Sequence, residues 1–232
     1  MKKIIFLSAI LITSFFSLLH AQVYEKKTVH AGESLSDLSY YLFPSFKDAE
    51  VKFKKGGELS AKMNFNLLIC QMQFIDPHGD TLNIAKPQDI YVIDFDSSSF
   101  FYDKGYCEIL ETCDSIELAV LRKVTYEPIK IGALGLRNHS GTGTENYTSF
   151  LNNASEKQLT VNEDIDIEKE TTFFLIPNNK EMIKATKPGF LKVFPQSSQF
   201  IQTYIKENKP VFNKESDLKK LFVFCKSLAS SN

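Results

Sequence analysis

The run Leu59-Ser60-Ala61-Lys62-Met63-Asn64-Phe65 alternates apolar with polar residues over most of its length. A period of two is typical of a strand with one buried face, and a turn signal, Lys55-Gly56-Gly57, comes just before it. Short apolar runs continue from Glu50 to about Thr125, separated by further turn signals such as Asp76-Pro77-His78-Gly79-Asp80. Roughly six or seven strands, spaced about eight to twelve residues apart, predict an antiparallel β-meander or small barrel.

After about residue 186 the apolar period lengthens to that of helices. Thr186, followed by Pro188 in the first turn, predicts a short helix that ends at Pro195, and Pro210 ends a second helix. The apolar faces of the second and third helices are Phe200, Ile201, Tyr204 and Ile205, and Leu218, Leu221, Phe222, Cys225 and Leu228. Because each helix is apolar on one side only, it must pack on the sheet. The predicted fold is therefore α+β: an antiparallel β-meander or small barrel with three short C-terminal helices packed on it.

The N-terminal residues have the order of a cleaved secretory signal peptide. A basic start, Met1-Lys2-Lys3, precedes an apolar run from Ile4 to Leu19 and a small residue, Ala21, at the expected cleavage position. The alternative is a retained membrane anchor, for which the run is short. A signal peptide at residues 1–21 predicts an exported protein of the periplasm, outer envelope or extracellular space, with no transmembrane span after cleavage. Residues 22–232 then form a single β-rich domain, with a polar loop at about 137–158 and a helical segment at about 186–230.

The cysteines leave their pairing open. The predicted mature chain contains all four of them, Cys70, Cys107, Cys113 and Cys225. Export permits disulfides, and four cysteines allow three complete pairings, between which the sequence does not choose. Cys225 lies on the apolar stripe of the last helix, where a buried thiol is the alternative. No C-x-x-C spacing, P-loop or dinucleotide fingerprint occurs, so the sequence predicts no cofactor and no structural zinc site.

Charge is unevenly distributed along this chain, whose formal net charge is −1. Residues 180–232 carry a net charge of +6, and residues 22–179 carry −9. Such asymmetry is typical either of amphipathic helices with solvated lysine faces or of a patch for an anionic glycan, a lipid headgroup or an acidic protein. If a helical face binds an anion, the candidate residues are Lys192, Lys206, Lys209, Lys219 and Lys220. No nucleic-acid partner is predicted.

Three local motifs resemble functional ones, and each has a simpler interpretation. Residues 28–38 resemble the first half of a LysM repeat, a module that binds N-acetylglucosamine polymers, and the alternative is a mobile N-terminus or an edge strand. Residues 94–99 lack the glycine and the second copy of an aspartic-protease loop, which favours a strand end and tight turn. Asp164, Asp166 and Glu168 alternate like calcium ligands, and the same pattern predicts a half-buried strand with its acidic face in water.

Apolar and turn-forming runs over roughly residues 40–228 share a pattern with a known group of proteins. The runs include Leu42-Phe43-Pro44, Val51-Lys52-Phe53-Lys54, Ala61-Lys62-Met63-Asn64-Phe65-Asn66-Leu67-Leu68 and Phe190-Leu191-Lys192-Val193-Phe194-Pro195. This pattern resembles exported, β-rich proteins of unknown function from Bacteroidetes-type Gram-negative bacteria. The resemblance implies a place in the periplasm or outer envelope, and it implies no activity.

Three functional hypotheses follow from these observations. The first is a non-enzymatic binding or structural module of the cell envelope, with an envelope protein or a glycan as partner. The alternative is a periplasmic hydrolase of glycan or peptide whose site is assembled from distant residues. Its candidate bases are His78 and His139, and a deep cleft holding either of them beside a carboxylate and a hydroxyl would favour it. The third hypothesis is a cell-wall anchor through residues 28–45.

Overall fold

The computed structural model describes residues 23–34, 41–131, 137–139, 161, 163–178 and 181–229. The predicted signal peptide and residues 140–158 of the predicted loop lie outside the described residues. The strands are β1 (Val23–Val29), β2 (Lys47–Phe53), β3 (Glu58–Asn66), β4 (Gln71–Ile75), β5 (Thr81–Asn83), β6 (Ile90–Asp94), β7 (Ser99–Tyr102), β8 (Tyr106–Cys113), β9 (Ile116–Ile131), β10 (Arg137–His139), β11 (Ile165–Ile176) and β12 (Ile183–Lys184). The α-helices are α1 (Lys187–Val193), α2 (Ser198–Asn208) and α3 (Glu215–Ala229).

The strands form one antiparallel sheet in the order β1-β11-β9-β8-β7-β6-β2-β3-β4-β5, with β10 paired to β9 and β12 paired to β11. The predicted α+β class is confirmed. The sequence predicts a single meander, whereas the sheet contains two, β2–β5 and β6–β9. They are joined side by side because β6 pairs with β2, for example at Val51↔Ile93, and not with β5. Residues 137–139, predicted as the start of the polar loop, pair with β9 instead.

Apolar side chains from β2, β3, β4, β6, β7 and β8 fill the concave side of the sheet, which we call the inner core. Met63, Phe65 and Phe100 are among its fully buried members. The Phe65 and Phe100 ring centroids lie 5.7 Å apart, within the range in which aromatic pairs attract each other. The alternation predicted over residues 59–65 is confirmed at Met63 and Phe65, which are buried. It is wrong at Leu59, which is 56% exposed, and at Asn64, which is buried.

The first part of β9 and the last part of β11 are buried on both faces. On β9, Leu118 and Val120 belong to the core under the helices, whereas Ala119 and Leu121 belong to a separate cluster on the opposite face. The helix-side core also contains Phe190, Ile201, Leu218, Leu221 and Phe222 from the three helices. The helices therefore pack on the sheet as predicted, but the prediction is wrong at Phe200, which is 61% exposed on α2. None of the helices within the described ranges is long and apolar enough to cross a membrane.

Helix α1 begins at a close approach between helix and strand. The Thr186 hydroxyl accepts a hydrogen bond from the Gly189 amide at 3.3 Å, as expected of an N-cap. A Cβ atom at Gly189 would lie 2.1 Å from the Lys184 carbonyl oxygen. Only glycine fits this position, because any side chain would push α1 away from β12.

The turn between β3 and β4 packs against β9 and β11, so the sheet curls toward itself without closing. The buried Tyr126 hydroxyl on β9 donates a hydrogen bond to the Leu68 carbonyl in this turn. The Asn66 side-chain oxygen accepts from the amides of Leu68 at 3.0 Å and Ile69 at 3.3 Å, which shapes the turn. Val29, Val161, Ile165 and Ile167 surround the same contact.

Replacing Tyr126 with Phe should lower the free energy of unfolding by about 1–3 kcal/mol, because the buried Leu68 carbonyl would lose this donor. Urea denaturation measures the change. Tyr91→Phe is the matched control, since Tyr91 is exposed and should change stability by less than about 0.5 kcal/mol. Equal midpoints for wild type and Tyr126→Phe would contradict the role of this bond.

The carboxylate of Asp217, in the first turn of α3, binds the backbone of the loop before this helix. Asp217 Oδ2 accepts a hydrogen bond from the Val211 amide at 3.1 Å. This bond, ahead of the charges of Lys214 and Lys220, holds the pKa of Asp217 below its ordinary value of 3.8. Because the native pKa is lowered, the stabilisation is present above pH 3.8 and is lost as the pH falls through the native pKa.

The melting temperature of the wild type should fall as the pH drops below about 4, where the Asp217 carboxylate becomes protonated. In Asp217→Asn this fall with pH should be smaller. Thermal melts between about pH 2 and pH 6 measure this slope. Asp48→Asn is the control, because the Asp48 side chain is 88% exposed and its Oδ1 lies 3.9 Å from Lys62 Nζ. A slope unchanged in Asp217→Asn would contradict the assignment.

Candidate binding groove

The sheet face opposite the helices carries a groove of about 280 Å³, which we call the outer groove. Its floor belongs to the cluster that contains Ala119 and Leu121, and it shares Phe101, Ile176 and Met182 with that cluster. The lining residues are Lys54, Tyr91, Val92, Phe101, Tyr102, Asp103, Ile109, Glu117, Ile176 and Met182. They come from β6, β7, β8, β9 and β11, from the turn after β7, and from the residues that follow β2 and precede β12.

Strand register explains why these side chains meet. Phe101 pairs with Cys107, and Ile109 pairs with Ala119, so they follow one another across the same face of the sheet. Apolar residues on this face are unexpected for an antiparallel sheet with one solvated side. Of these residues, Phe101 and Ile109 line the groove, and Cys107 and Ala119 are buried beneath it.

The rim of the groove carries an exposed aromatic ring. The pairing of β2 with β6 runs from Lys52↔Val92 to Phe53↔Ile90, which makes Tyr91 the extra residue of a β-bulge. Bulges re-aim side chains, and the Tyr91 side chain is 53% exposed beside the groove. No alternation pattern in the sequence could have revealed this residue, because the bulge arises only from pairing between strands that are distant along the chain.

Charged groups flank the apolar floor. Lys54 Nζ donates to the Gln88 carbonyl at 2.8 Å, and Asp103 lies exposed in the turn between β7 and β8. Glu117 is partly buried near the start of β9. The groove thus combines aromatic and aliphatic walls with a few charged groups, the composition typical of small-ligand sites.

A buried hydroxyl lies beside the groove residue Tyr102. The Tyr106 ring meets the Tyr102 ring edge-on, with centroids 5.1 Å apart. The Tyr106 hydroxyl is buried and has no hydrogen-bond partner among the described residues. Burial, and to a smaller extent the neighbouring Tyr102, raises the pKa of Tyr106, so this hydroxyl stays protonated. An unpaired buried hydroxyl is costly. Tyr106 belongs to the inner core, whereas the next residue, Cys107, belongs to the cluster beneath the groove, so this hydroxyl is not a groove donor.

A second cleft, of about 230 Å³, lies where the curled sheet stays open. Arg122, Lys123, Lys169 and Glu170 are its charged lining residues. Arg122 is already engaged: Nη1 lies 2.6 Å from Glu108 Oε2, and Nη2 lies 3.6 Å from Glu215 Oε2 on α3. The guanidinium therefore ties β8 and β9 to α3, and this cleft is a weaker candidate for a ligand site.

The five lysines predicted as an anion-binding face line neither cavity. Lys192 Nζ pairs with Glu181 at 3.0 Å, and Lys219 Nζ pairs with Glu215 at 3.1 Å. Lys206 lies in the last turn of α2, and Lys209 is the C-cap residue, in the left-handed conformation. Positive charges at this end of a helix are stabilised by the helix dipole. Lys220 is exposed to solvent on α3. Two of the five are thus occupied by acidic partners.

The alternating acids of β11 fasten β1 to the sheet. Asp166 is buried, accepts a hydrogen bond from Thr28 Oγ1 at 2.6 Å and pairs with Lys26 Nζ at 2.8 Å. Asp164 accepts from the Ala31 amide at 2.9 Å and lies 3.1 Å from His30 Nδ1. The predicted strand is confirmed, but the expectation that its acidic face lies in water is wrong at Asp166. Within the described ranges, no group of His, Cys, Asp or Glu is placed to hold a metal ion.

The other motif residues also have structural roles. Asp94 is the last residue of β6, and its carboxylate accepts hydrogen bonds from Ser99 Oγ at 2.7 Å and from Lys52 Nζ at 3.1 Å. This confirms the predicted strand end and tight turn. Residues 23–29, which overlap the LysM-like segment, pair with β11 along their whole length and so form an edge strand of this sheet. His78 lies on an exposed turn and lines neither cavity. The side chain of His139 lies outside the described residues.

Calcium or EDTA should leave the melting temperature unchanged, because Lys26 already neutralises Asp166. Lys26→Met should lower the free energy of unfolding by about 1–3 kcal/mol, since it leaves a buried carboxylate without its counter-charge. Lys27→Met, the exposed neighbour on β1, is the control. Stabilisation of the wild type by calcium would contradict this account of the acidic strand.

Comparison with known proteins finds no matching family model, no curated protein of similar sequence and no solved structure of similar fold.

Proposed function

We propose that this protein is an exported, non-enzymatic module of the cell envelope that binds a glycan in the outer groove. The observation that carries the proposal is the exposed Tyr91 ring beside an apolar-floored groove. Export is supported by the signal-peptide pattern of residues 1–21. The resemblance to exported, β-rich proteins supports a place in the periplasm or outer envelope.

A sugar ring matches the chemistry of this groove. Its C–H faces pack on aromatic rings, as Tyr91 and Phe101 offer. Its hydroxyl edges need hydrogen-bonding groups, as Lys54, Asp103 and Glu117 offer. A volume of about 280 Å³ is at the small end of ligand sites, which fits a short stretch of a chain rather than a large ligand.

The groove lining supports binding better than catalysis. Among the described lining residues there is no histidine, serine or cysteine, so a nucleophile with its base is not assembled there. The hydrolase alternative would rest on the two carboxylates of the groove, Asp103 and Glu117, because glycoside hydrolysis uses a pair of acids. Release of new reducing ends from an oligosaccharide, abolished by Asp103→Asn or Glu117→Gln, would favour that alternative.

Tyr91→Ala should weaken glycan binding at least about tenfold, because it removes the exposed stacking surface. The probes are purified peptidoglycan and the soluble polysaccharide of a Gram-negative outer membrane, each titrated against residues 22–232. Phe200→Ala is the matched control, since Phe200 is a 61% exposed aromatic on α2 that does not line the groove. Equal binding by Tyr91→Ala and wild type would reject the groove as the site.

Salt dependence separates the groove from the lysine-rich helices. Binding through Tyr91 and neutral hydroxyls should change little between low and high salt, whereas binding to a lysine face should weaken steeply. The double variant Lys206→Glu/Lys209→Glu tests the helical face directly. A steep salt dependence that this variant removes would move the site from the groove to α2.

A further inference from the structure

The structure separates the four cysteines by location. Cys113 on β8 and Cys225 on α3 belong to the same helix-side core, 2% and 0% exposed. Cys107 belongs to the cluster beneath the outer groove on the opposite sheet face. Cys70 lies in the turn between β3 and β4 and packs against the inner core. All four are thiols in this structure.

Helix α3 brings Cys225 to the end of β8. Lys226, the next residue on α3, donates from Nζ to the carbonyl of Thr112 at 3.0 Å, and Thr112 directly precedes Cys113. The flanking residues of the two cysteines are therefore in contact. The two thiols also interact electrostatically: burial raises the pKa of Cys225 to about 12, and the neighbouring Cys113 adds to that rise.

We propose that Cys113 and Cys225 form a disulfide in the exported protein, while Cys70 and Cys107 remain thiols. Of the possible pairs, this is the one whose members share a core. The bond would tie the C-terminal helix to the sheet and close a long loop, which is the arrangement that most restricts an unfolded chain. The inference does not depend on glycan binding. It takes from the proposed function only the oxidising environment that export provides.

The chemistry requires an oxidant. The two thiols together lose two protons and two electrons as the S–S bond forms, and a disulfide-containing oxidant, a protein disulfide or glutathione disulfide, accepts them and becomes two thiols. Thiol–disulfide exchange needs a thiolate. Burial, with the nearby Asp114 as a second cause, also raises the pKa of Cys113. The bond should therefore form during folding, as α3 docks on β8, and only slowly once both thiols are buried.

The test is refolding of the reduced, unfolded residues 22–232 in a mixture of reduced and oxidised glutathione, followed by peptide mapping without reduction. We expect one linked pair of peptides containing Cys113 and Cys225, with two alkylatable thiols left. The oxidised protein should melt at a higher temperature than the reduced one. The double variant Cys70→Ala/Cys107→Ala should keep that difference between its oxidised and reduced forms, and Cys225→Ala should lose it.

The peptide map of the wild type tests the Cys113–Cys225 disulfide even if a cysteine variant fails to fold. A linkage between Cys70 and Cys107, or four free thiols after refolding with glutathione disulfide, would overturn the proposal. Loss of glycan binding in Tyr91→Ala has no bearing on the map, so the two proposals fail independently.

Discussion

The contact between Tyr126 and the turn after β3 determines the shape of the molecule. Two meanders that share the β2–β6 pairing would otherwise form an extended open sheet. The Tyr126 hydroxyl bonds to Leu68, and apolar groups of β1, β9 and β11 enclose that bond. A buried hydrogen bond surrounded by apolar contacts is stronger than the same bond in water. The curl it maintains creates the concave inner core on one side of the sheet.

The long strand pair β9 and β11 contributes side chains to the cores on both faces of the sheet. Leu118 and Val120 point to the helices, and Ala119 and Leu121 point to the floor of the outer groove. Helix docking and groove geometry are consequently coupled through one pair of strands. A bond between Cys113 and Cys225 would fasten α3 at one end of this arrangement, while Arg122 joins β8, β9 and α3 through Glu108 and Glu215.

Several charged residues of the described chain hold elements together, and the best ligand surface is aromatic and aliphatic. Asp166 pairs with Lys26 to attach the edge strand β1, and Lys192 pairs with Glu181 beside α1. Lys26 and Asp166 come from distant parts of the chain, and Lys192 and Glu181 lie 11 residues apart. A charge count along the sequence therefore suggests binding patches where the structure has ion pairs. Tyr91, by contrast, is exposed beside an apolar floor.

The sequence by itself determined the class of fold: period-two runs with glycine-rich turns make antiparallel strands, and one-sided apolar helices must pack on them. It also located the strand around Asp166 and the helix start at Thr186, because those signals are local. Only the tertiary structure decided the return of β6 to β2, the bulge at Tyr91 and the proximity of Cys113 to Cys225. Each of these depends on which distant segments pair, and pairing is chosen by the packing of whole faces rather than by any local pattern.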